Sequence, residues 1–318
     1  MKKIISVFII ALCFILASCT KYQSYDIYTT NYPLFYLASS ITKDKYKVSL
    51  IAGAQSHNSS IEWTGKKLIS LLDAELLFYN GAGLDDYIDK EIKVIDKKNV
   101  ELYKMEDYID FIDTCNHHDH DHEEDENKDT HEDDDSCSVL YHDPHFFLDP
   151  VLIIEASKVI YDAIIKTWPE DKEIFEKNYQ ELKKALDDLA KDYDEALTGA
   201  TKPILTTSNL YGYYHERYGL ESIPISNSSH SSNEIISDYM KFVNEAKKHN
   251  IKYIIFEKNA NSTYGDSIIQ ELNTTPNYNC QKLYFHTLES LSNEDTLNKR
   301  NYLTIMYENL EILKKAIE

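Results

Sequence analysis

An acidic, histidine-rich stretch, HHDHDHEEDENKDTH at residues 117–131, is the part of the sequence most suited to binding metal. It contributes five imidazoles, from His117, His118, His120, His122 and His131. The stretch is too polar to pack into a core, which predicts a disordered surface loop. Neutral imidazole beside carboxylate suits zinc first, then copper and nickel. We therefore expect an accessory loop that contacts transition-metal ions; an acidic loop with incidental histidines is the alternative.

Two cysteines, Cys115 and Cys137, bracket this stretch. In an oxidising compartment they could form a disulfide, which we favour, or both could remain thiols and bind metal. Cys280, later in the chain, is then left as a thiol that we expect to be buried.

Three further segments carry single histidines where a predicted strand gives way to a helix. These are His57 in GAQSHNSSIEW (53–63), His145 in YHDPHFFLDP (141–150) and His286 in KLYFHTLESL (282–291). Ligand sites in open α/β sheets lie at such strand ends. Pro144 and Pro150 stiffen the turn around His145, which suits a preformed ligand.

Strand and helix patterns alternate along most of the chain. Before the loop, strands are predicted at 26–30, 46–52 and 74–79, with helices at 33–41, 63–72 and 84–90 and a later helix at 150–166. After residue 199, strands are predicted at 203–207, 253–257 and 282–285, with helices at 211–218, 234–250, 267–272 and 302–317. This alternation predicts an α/β fold of two Rossmann-like lobes, each with a mainly parallel sheet.

The most periodic stretch begins at Pro169 and ends before Gly199. Its apolar residues recur on one helix face: Phe175, Tyr179, Leu182, Leu186, Leu189, Tyr193 and Leu197. A helix of this length spans about 45 Å, enough to cross both lobes. We predict one long rigid inter-lobe helix rather than a coiled-coil segment.

The N-terminus is predicted to be a signal, with a basic start and an apolar run that ends at Leu16-Ala17-Ser18-Cys19. This ending resembles the lipobox of bacterial lipoproteins, which implies cleavage before Cys19 and its acylation; an ordinary signal is the alternative. The formal charge of the whole chain is −21. Such a charge disfavours nucleic-acid binding and favours attraction of cations.

The motifs resemble those of the cluster A-I solute-binding proteins, the ZnuA-like zinc and manganese receptors of ABC importers. DPHFFLDP is similar to the family's Asp-Pro-His-x-Trp-Leu-Asp-Pro, and GAQSHNSSIEW to its Gly-x-x-Pro-His followed by Glu-Pro. AELLFYNG (74–81) matches a family strand and turn. The long helix and the histidine-rich insertion complete the resemblance, which covers about residues 26–318.

The resemblance implies that His57 and His145 are metal ligands from the N-terminal lobe. The family's third ligand, His or Glu, is replaced by Ser208 in SNLYGYY, and His286 stands where the fourth, usually Asp, is expected. We predict a site of His57, His145 and His286, completed by water or a nearby group. Three nitrogens favour Zn²⁺ over Mn²⁺. The alternative is that the cleft no longer binds metal well and that metal is held mainly by the insertion.

Several other residues are expected near the cleft or around His145. Glu257, His230 and His142 are further candidates near the cleft. Asp143 and Asp149 are expected to fix the turn and orient His145 rather than to bind metal.

The resulting division is a signal peptide (1–18), an N-terminal metal-binding lobe (26–168) with its insertion (115–137), the inter-lobe helix (169–198) and a C-terminal lobe (199–318). The resemblance implies a monomeric, membrane-anchored lipoprotein outside the cytoplasm that delivers zinc to an ABC permease with its ATPase. An adhesin-type or metal-buffering lipoprotein, or a manganese receptor, is the alternative. The chain lacks HExxH and shows no nucleophile with a base, so we do not expect an enzyme.

Overall fold

The computed structural model describes residues 24–51, 64–95, 98–115, 140–226, 239–258 and 260–318. In these ranges it forms two parallel sheets, one in each lobe, with helices around them. The predicted α/β class is therefore confirmed. No helix in the described ranges is both long enough and apolar enough to cross a membrane.

The N-terminal sheet has the parallel order β2-β1-β3-β4. Its strands are β1 (Ile27–Thr29), β2 (Val48–Leu50), β3 (Leu76–Tyr79) and β4 (Glu101–Lys104), and its helices are α1 (Tyr32–Thr42), α2 (Gly65–Leu72) and α3 (Asp86–Ile95). All four residues of β3 are buried, as a strand covered on both faces requires. Asn31 begins α1 by accepting a hydrogen bond from the Leu34 amide at 3.0 Å.

A short antiparallel hairpin joins the ends of the histidine-rich stretch. It consists of β5 (Asp113–Cys115) and β6 (Leu140–His142), with Cys115 opposite Leu140. From β6 the chain passes through a 3₁₀ turn at Phe146–Leu148 into α4 (Leu152–Thr167). The insertion is thus attached only a few residues before His145.

The long helix α5 (Lys172–Leu197) follows a 3₁₀ turn at Pro169–Asp171 and joins the lobes. All seven apolar residues predicted to share one face are buried. They belong to a core cluster that extends from Ile27 of the first sheet to Phe285 of the second. The predicted inter-lobe helix is therefore confirmed, and the core cluster around it includes residues of both lobes.

The C-terminal sheet has the parallel order β10-β9-β7-β8. Its strands are β7 (Ile204–Thr206), β8 (Ser222–Pro224), β9 (Tyr253–Glu257) and β10 (Gln281–Phe285). Its helices are α6 (Gly212–Tyr218), α7 (Tyr239–Lys248), α8 (Thr263–Leu272), α9 (Asn293–Leu297) and α10 (Tyr302–Ile317). The carboxyl end of this sheet presents Ser208, Glu257 and the segment after Phe285 along one edge.

Candidate metal site

His145 lies in a turn between the lobes and is only 3% exposed. Its Nδ1 is 2.7 Å from Asp143 Oδ1, which also accepts the His145 backbone amide at 2.9 Å. On the other side of the ring, Nε2 is 3.4 Å from Glu289 Oε1. Because Glu289 follows β10, the imidazole of the N-terminal lobe faces a carboxylate of the C-terminal lobe.

The two carboxylates determine the protonation of this ring. Burial lowers the pKa of His145, but its interactions as a donor to the Asp143 and Glu289 carboxylates outweigh burial and raise the pKa to about 10. With this pKa we expect the metal-free ring to carry a proton on both nitrogens at neutral pH, facing Asp143 and Glu289. A metal ion would replace the Nε2 proton, while Asp143 would keep Nδ1–H oriented, as carboxylates do for metal-bound histidine.

The turn that carries His145 is fixed from both ends. Asn80, just after β3, donates to the Pro144 carbonyl at 3.0 Å. Asp149 accepts from the Val151 amide at 2.7 Å and so begins α4. The roles expected for Asp143 and Asp149, to orient the histidine and to fix the turn, agree with these contacts.

The geometry of His286 counts against its predicted role as a ligand. It is buried, but Nδ1 accepts the Leu288 amide at 2.9 Å and Nε2 is 3.2 Å from Asp295 Oδ2. Burial lowers its pKa more than Asp295 raises it, which fits a neutral ring that donates from Nε2. Both nitrogens are thus engaged within the C-terminal lobe, so coordination by His286 would require the contact with Asp295 to be broken.

Glu289 is the residue that the structure places against His145 and that the sequence did not single out. It is 6% exposed and lies three residues after His286, beyond Leu288, whose φ of 65° turns the backbone. The turn places the glutamate, not the histidine, against His145. The acid in LES (288–290) was the available signal, because an acid is what the resemblance implied for this segment.

Ser208 and Glu257 lie at the same edge of the C-terminal sheet. Ser208 is 1% exposed, two residues after β7, and Glu257 is 6% exposed at the end of β9. Their roles in the cleft stay predictions. Across the described ranges, however, no group of three or more His, Cys, Asp or Glu side chains is close enough to hold a metal ion.

Several predicted residues lie outside the described ranges: His57, His230, Cys19, Cys137 and the five loop histidines. The predicted disulfide and the loop site therefore stay predictions. His142 is described and lies on the surface, with Nδ1 2.9 Å from Glu106 Oε1 and Nε2 3.6 Å from Asp113 Oδ1. Cys280 is a buried free thiol, as expected, and burial raises its pKa to about 11.

Comparison with known proteins identifies the family of this two-lobed chain. The family model described as "Zinc-uptake complex component A periplasmic", ZnuA, matches residues 27–316. The chain belongs to the ZnuA family. This is a family of solute-binding receptors rather than of enzymes.

Two curated relatives match over almost the whole chain. The high-affinity zinc uptake system protein ZnuA of Bacillus subtilis is 30% identical over 99% of this chain and 98% of its own length. The zinc-binding lipoprotein AdcA of Streptococcus pneumoniae (strain R6) is 28% identical over 100% of this chain, which spans 62% of AdcA.

A solved structure shows the same fold. The Zn(II)-bound ZnuA-like domain of Streptococcus pneumoniae AdcA is similar with a TM-score of 0.73 and 26% identity, over 93% of this chain and 99% of that domain. The predicted two-lobe architecture is therefore shared with a domain that binds zinc.

Proposed function

We propose that this protein is an extracytoplasmic zinc receptor that delivers Zn²⁺ to an ABC permease and its ATPase. The observation that carries the proposal is His145, buried between the lobes with its Nε2 directed at a carboxylate from the opposite lobe. Family membership and the zinc-binding relatives support it. Zn²⁺ would be coordinated by side chains of both lobes, which suits a receptor that binds the ion and later delivers it.

In this proposal His145 and Glu289 are two ligands of the ion, one from each lobe. His57 remains the proposed third ligand, and Glu257 or water bound near Ser208 is proposed to complete the site. Imidazole nitrogen with carboxylate oxygen in a four-coordinate arrangement suits zinc. His286 is left out of the proposed set because its ring contacts, Leu288 and Asp295, both lie in the C-terminal lobe, whereas Glu289 faces His145 across the lobes.

A crystal structure of the zinc-loaded protein with anomalous data at the zinc edge tests this function. We expect one ion in the cleft, about 2.0–2.2 Å from His145 Nε2 and a Glu289 oxygen. Zinc found only in the 117–131 loop, with an empty cleft, would overturn the proposal. A deletion strain with unimpaired growth in zinc-depleted medium would contradict the transport role.

The histidine-rich loop is proposed to raise the local metal concentration and to pass ions to the cleft. The β5–β6 hairpin supports this role, because it attaches the loop beside the segment that carries His145. Attachment at this place shortens the path that an ion must diffuse.

Deleting residues 116–135 is expected to slow zinc capture at low free metal while leaving cleft affinity within about twofold. The cleft contacts of His145 lie outside the deleted segment, so they should persist. Zinc uptake by cells at limiting metal and equilibrium binding by the purified protein separate the two effects. Unchanged uptake after the deletion would argue against the collecting role.

We further propose that Cys19 carries the lipid and that the protein acts as a membrane-anchored monomer. The lipobox-like segment Leu16-Ala17-Ser18-Cys19 supports the anchor. Metabolic labelling with a fatty acid, compared between the wild type and Cys19→Ala, tests it. Equal labelling of both proteins would rule out Cys19 as the acylated residue.

A further inference from the structure

The turn that carries His145 is held by side chains of the C-terminal lobe as well as by its own. Tyr213 OH donates to the Asp143 carbonyl at 2.7 Å, and Tyr302 OH donates to the Phe147 carbonyl at 2.8 Å. Arg217 Nε is 2.8 and 2.7 Å from the two carboxylate oxygens of Asp149. Three contacts from the opposite lobe thus fix residues 143–149 at the start, the middle and the end.

Two of these contacts come from the short helix α6, which approaches the turn unusually closely. A Cβ added at Gly212, its first residue, would lie 2.9 Å from Ile112 Cδ1 and 3.5 Å from Asp143 Oδ2. A side chain at this position would require the tip of Ile112 to move, and its Cβ would touch Asp143. Glycine therefore suits the close packing of α6 against the N-terminal lobe beside the turn that carries His145.

Of the three contacts, only the one between Arg217 and Asp149 joins two charged groups. Asp149 is 2% exposed, and Arg217 is the only cationic side chain paired with it among the described residues. The same carboxylate accepts the amides of Val151 and Leu152, so it also begins α4. Loss of the guanidinium would leave a buried carboxylate that must move or take up a proton.

We propose that α6 is an inter-lobe clamp and that Arg217 is its principal positioning residue for the metal site. Arg217 touches neither the ion nor its ligands. It holds Asp149, and with it the turn that presents His145 to Glu289, so the clamp keeps the two lobe ligands at bonding distance from one ion. Its consequence is slow release of zinc from the free receptor. This inference rests on the proposed cleft site and names a determinant of its metal retention.

The test compares Arg217→Gln with Arg300→Gln, a matched control. Arg300 also pairs with a buried aspartate, Asp295, at 2.7 Å, but both partners belong to the C-terminal lobe. Each purified variant is loaded with Zn²⁺, and release to excess chelator is followed by stopped flow. Thermal unfolding is measured in parallel, and the visible spectrum of Co²⁺-loaded protein reports the geometry of the site.

We expect Arg217→Gln to release zinc about tenfold faster, the lower end of the range for loss of a partner that orients a metal ligand, because Arg217 acts one step further away through Asp149. Its Co²⁺ spectrum should shift, while Arg300→Gln should destabilise the fold with a much smaller change in release and spectrum. Arg217→Lys, which keeps the charge, should recover most of the slow release. Equal release rates for the wild type and Arg217→Gln, or an equal effect of Arg300→Gln, would overturn the clamp.

The controls also separate this inference from the proposed function. If the wild-type cleft fails to bind zinc, the function fails before any variant is compared. If the wild type binds zinc and Arg217→Gln releases it at the same rate, the function stands and the clamp alone fails.

Discussion

Replacing His145 with alanine is expected to abolish high-affinity zinc binding in the cleft. The side chain is buried and its Nε2 is the group that faces Glu289 across the lobes, so no other described side chain can take its place. The loss should exceed the about 10- to 100-fold cost of removing an orienting partner, because an inner ligand is removed. Competition with a chromophoric zinc chelator measures the affinity.

His142→Ala is the matched control for this variant. It removes an imidazole only three residues away, but one that lies on the surface against Glu106. The control should bind zinc in the cleft as the wild type does. If His145→Ala retained the wild-type affinity, or if His142→Ala lost as much, the cleft site built on His145 would be wrong.

The same assay distinguishes Glu289 from His286 as the ligand of the C-terminal lobe. Glu289→Gln keeps the size of the side chain but removes the charge, and we expect it to weaken zinc binding strongly. His286→Gln disturbs the contacts with Leu288 and Asp295, so a loss of stability with a smaller loss of affinity is expected. A larger affinity loss for His286→Gln would restore the histidine as the ligand.

The sequence predicted the fold well because its strongest signals were long and periodic. The seven apolar residues of α5 all proved to be buried, and strand β9 occupies the predicted residues 253–257. Weaker elements were missed, such as β4, whose ELYK sequence is only partly buried, and the two three-residue strands of the hairpin. These short strands form by pairing with strands that are distant in the sequence, and a local sequence pattern carries no information about such pairing.

The site was predicted less completely, for reasons of side-chain direction. The sequence placed His286 correctly just after β10, but it could not show that Asp295, nine residues later, would hold Nε2. Nor could it show that Leu288 would take a positive φ and direct Glu289 toward His145. The contact between Arg217 and Asp149 could not be predicted either, because the two residues are 68 positions apart in the sequence.

Zinc binding is expected to be strongly pH-dependent because the ion must displace a proton from His145. Asp143 and Glu289 raise the pKa of this ring to about 10 against the effect of burial. Below that pH the metal-free ring is protonated, so apparent affinity should rise about tenfold per pH unit from this group alone. Between pH 7 and pH 9 the expected gain is about 100-fold.

Two measurements check this expectation. Calorimetry in buffers of different ionisation enthalpy should show release of about one proton per zinc ion near pH 7. Asp143→Asn, which removes one of the two acids, should lower the His145 pKa and flatten the dependence above neutral pH. An affinity that does not change between pH 7 and pH 9 would show that the ring is already neutral in the free protein.

The proton on His145 also makes the thermal stability of the protein depend on pH. The metal-free protein should become less stable as pH rises, whereas stabilisation by zinc should increase. The folded pKa of His145 lies above its ordinary value near 6.5, so the stabilisation is fully present below pH 6.5 and is lost as pH rises through about 10. The melting temperature of the metal-free protein should therefore fall from pH 7 to pH 10 through this group. Added zinc, which competes with the proton, should protect more as pH rises. At lower pH the proton would therefore compete more strongly with Zn²⁺ for His145 Nε2.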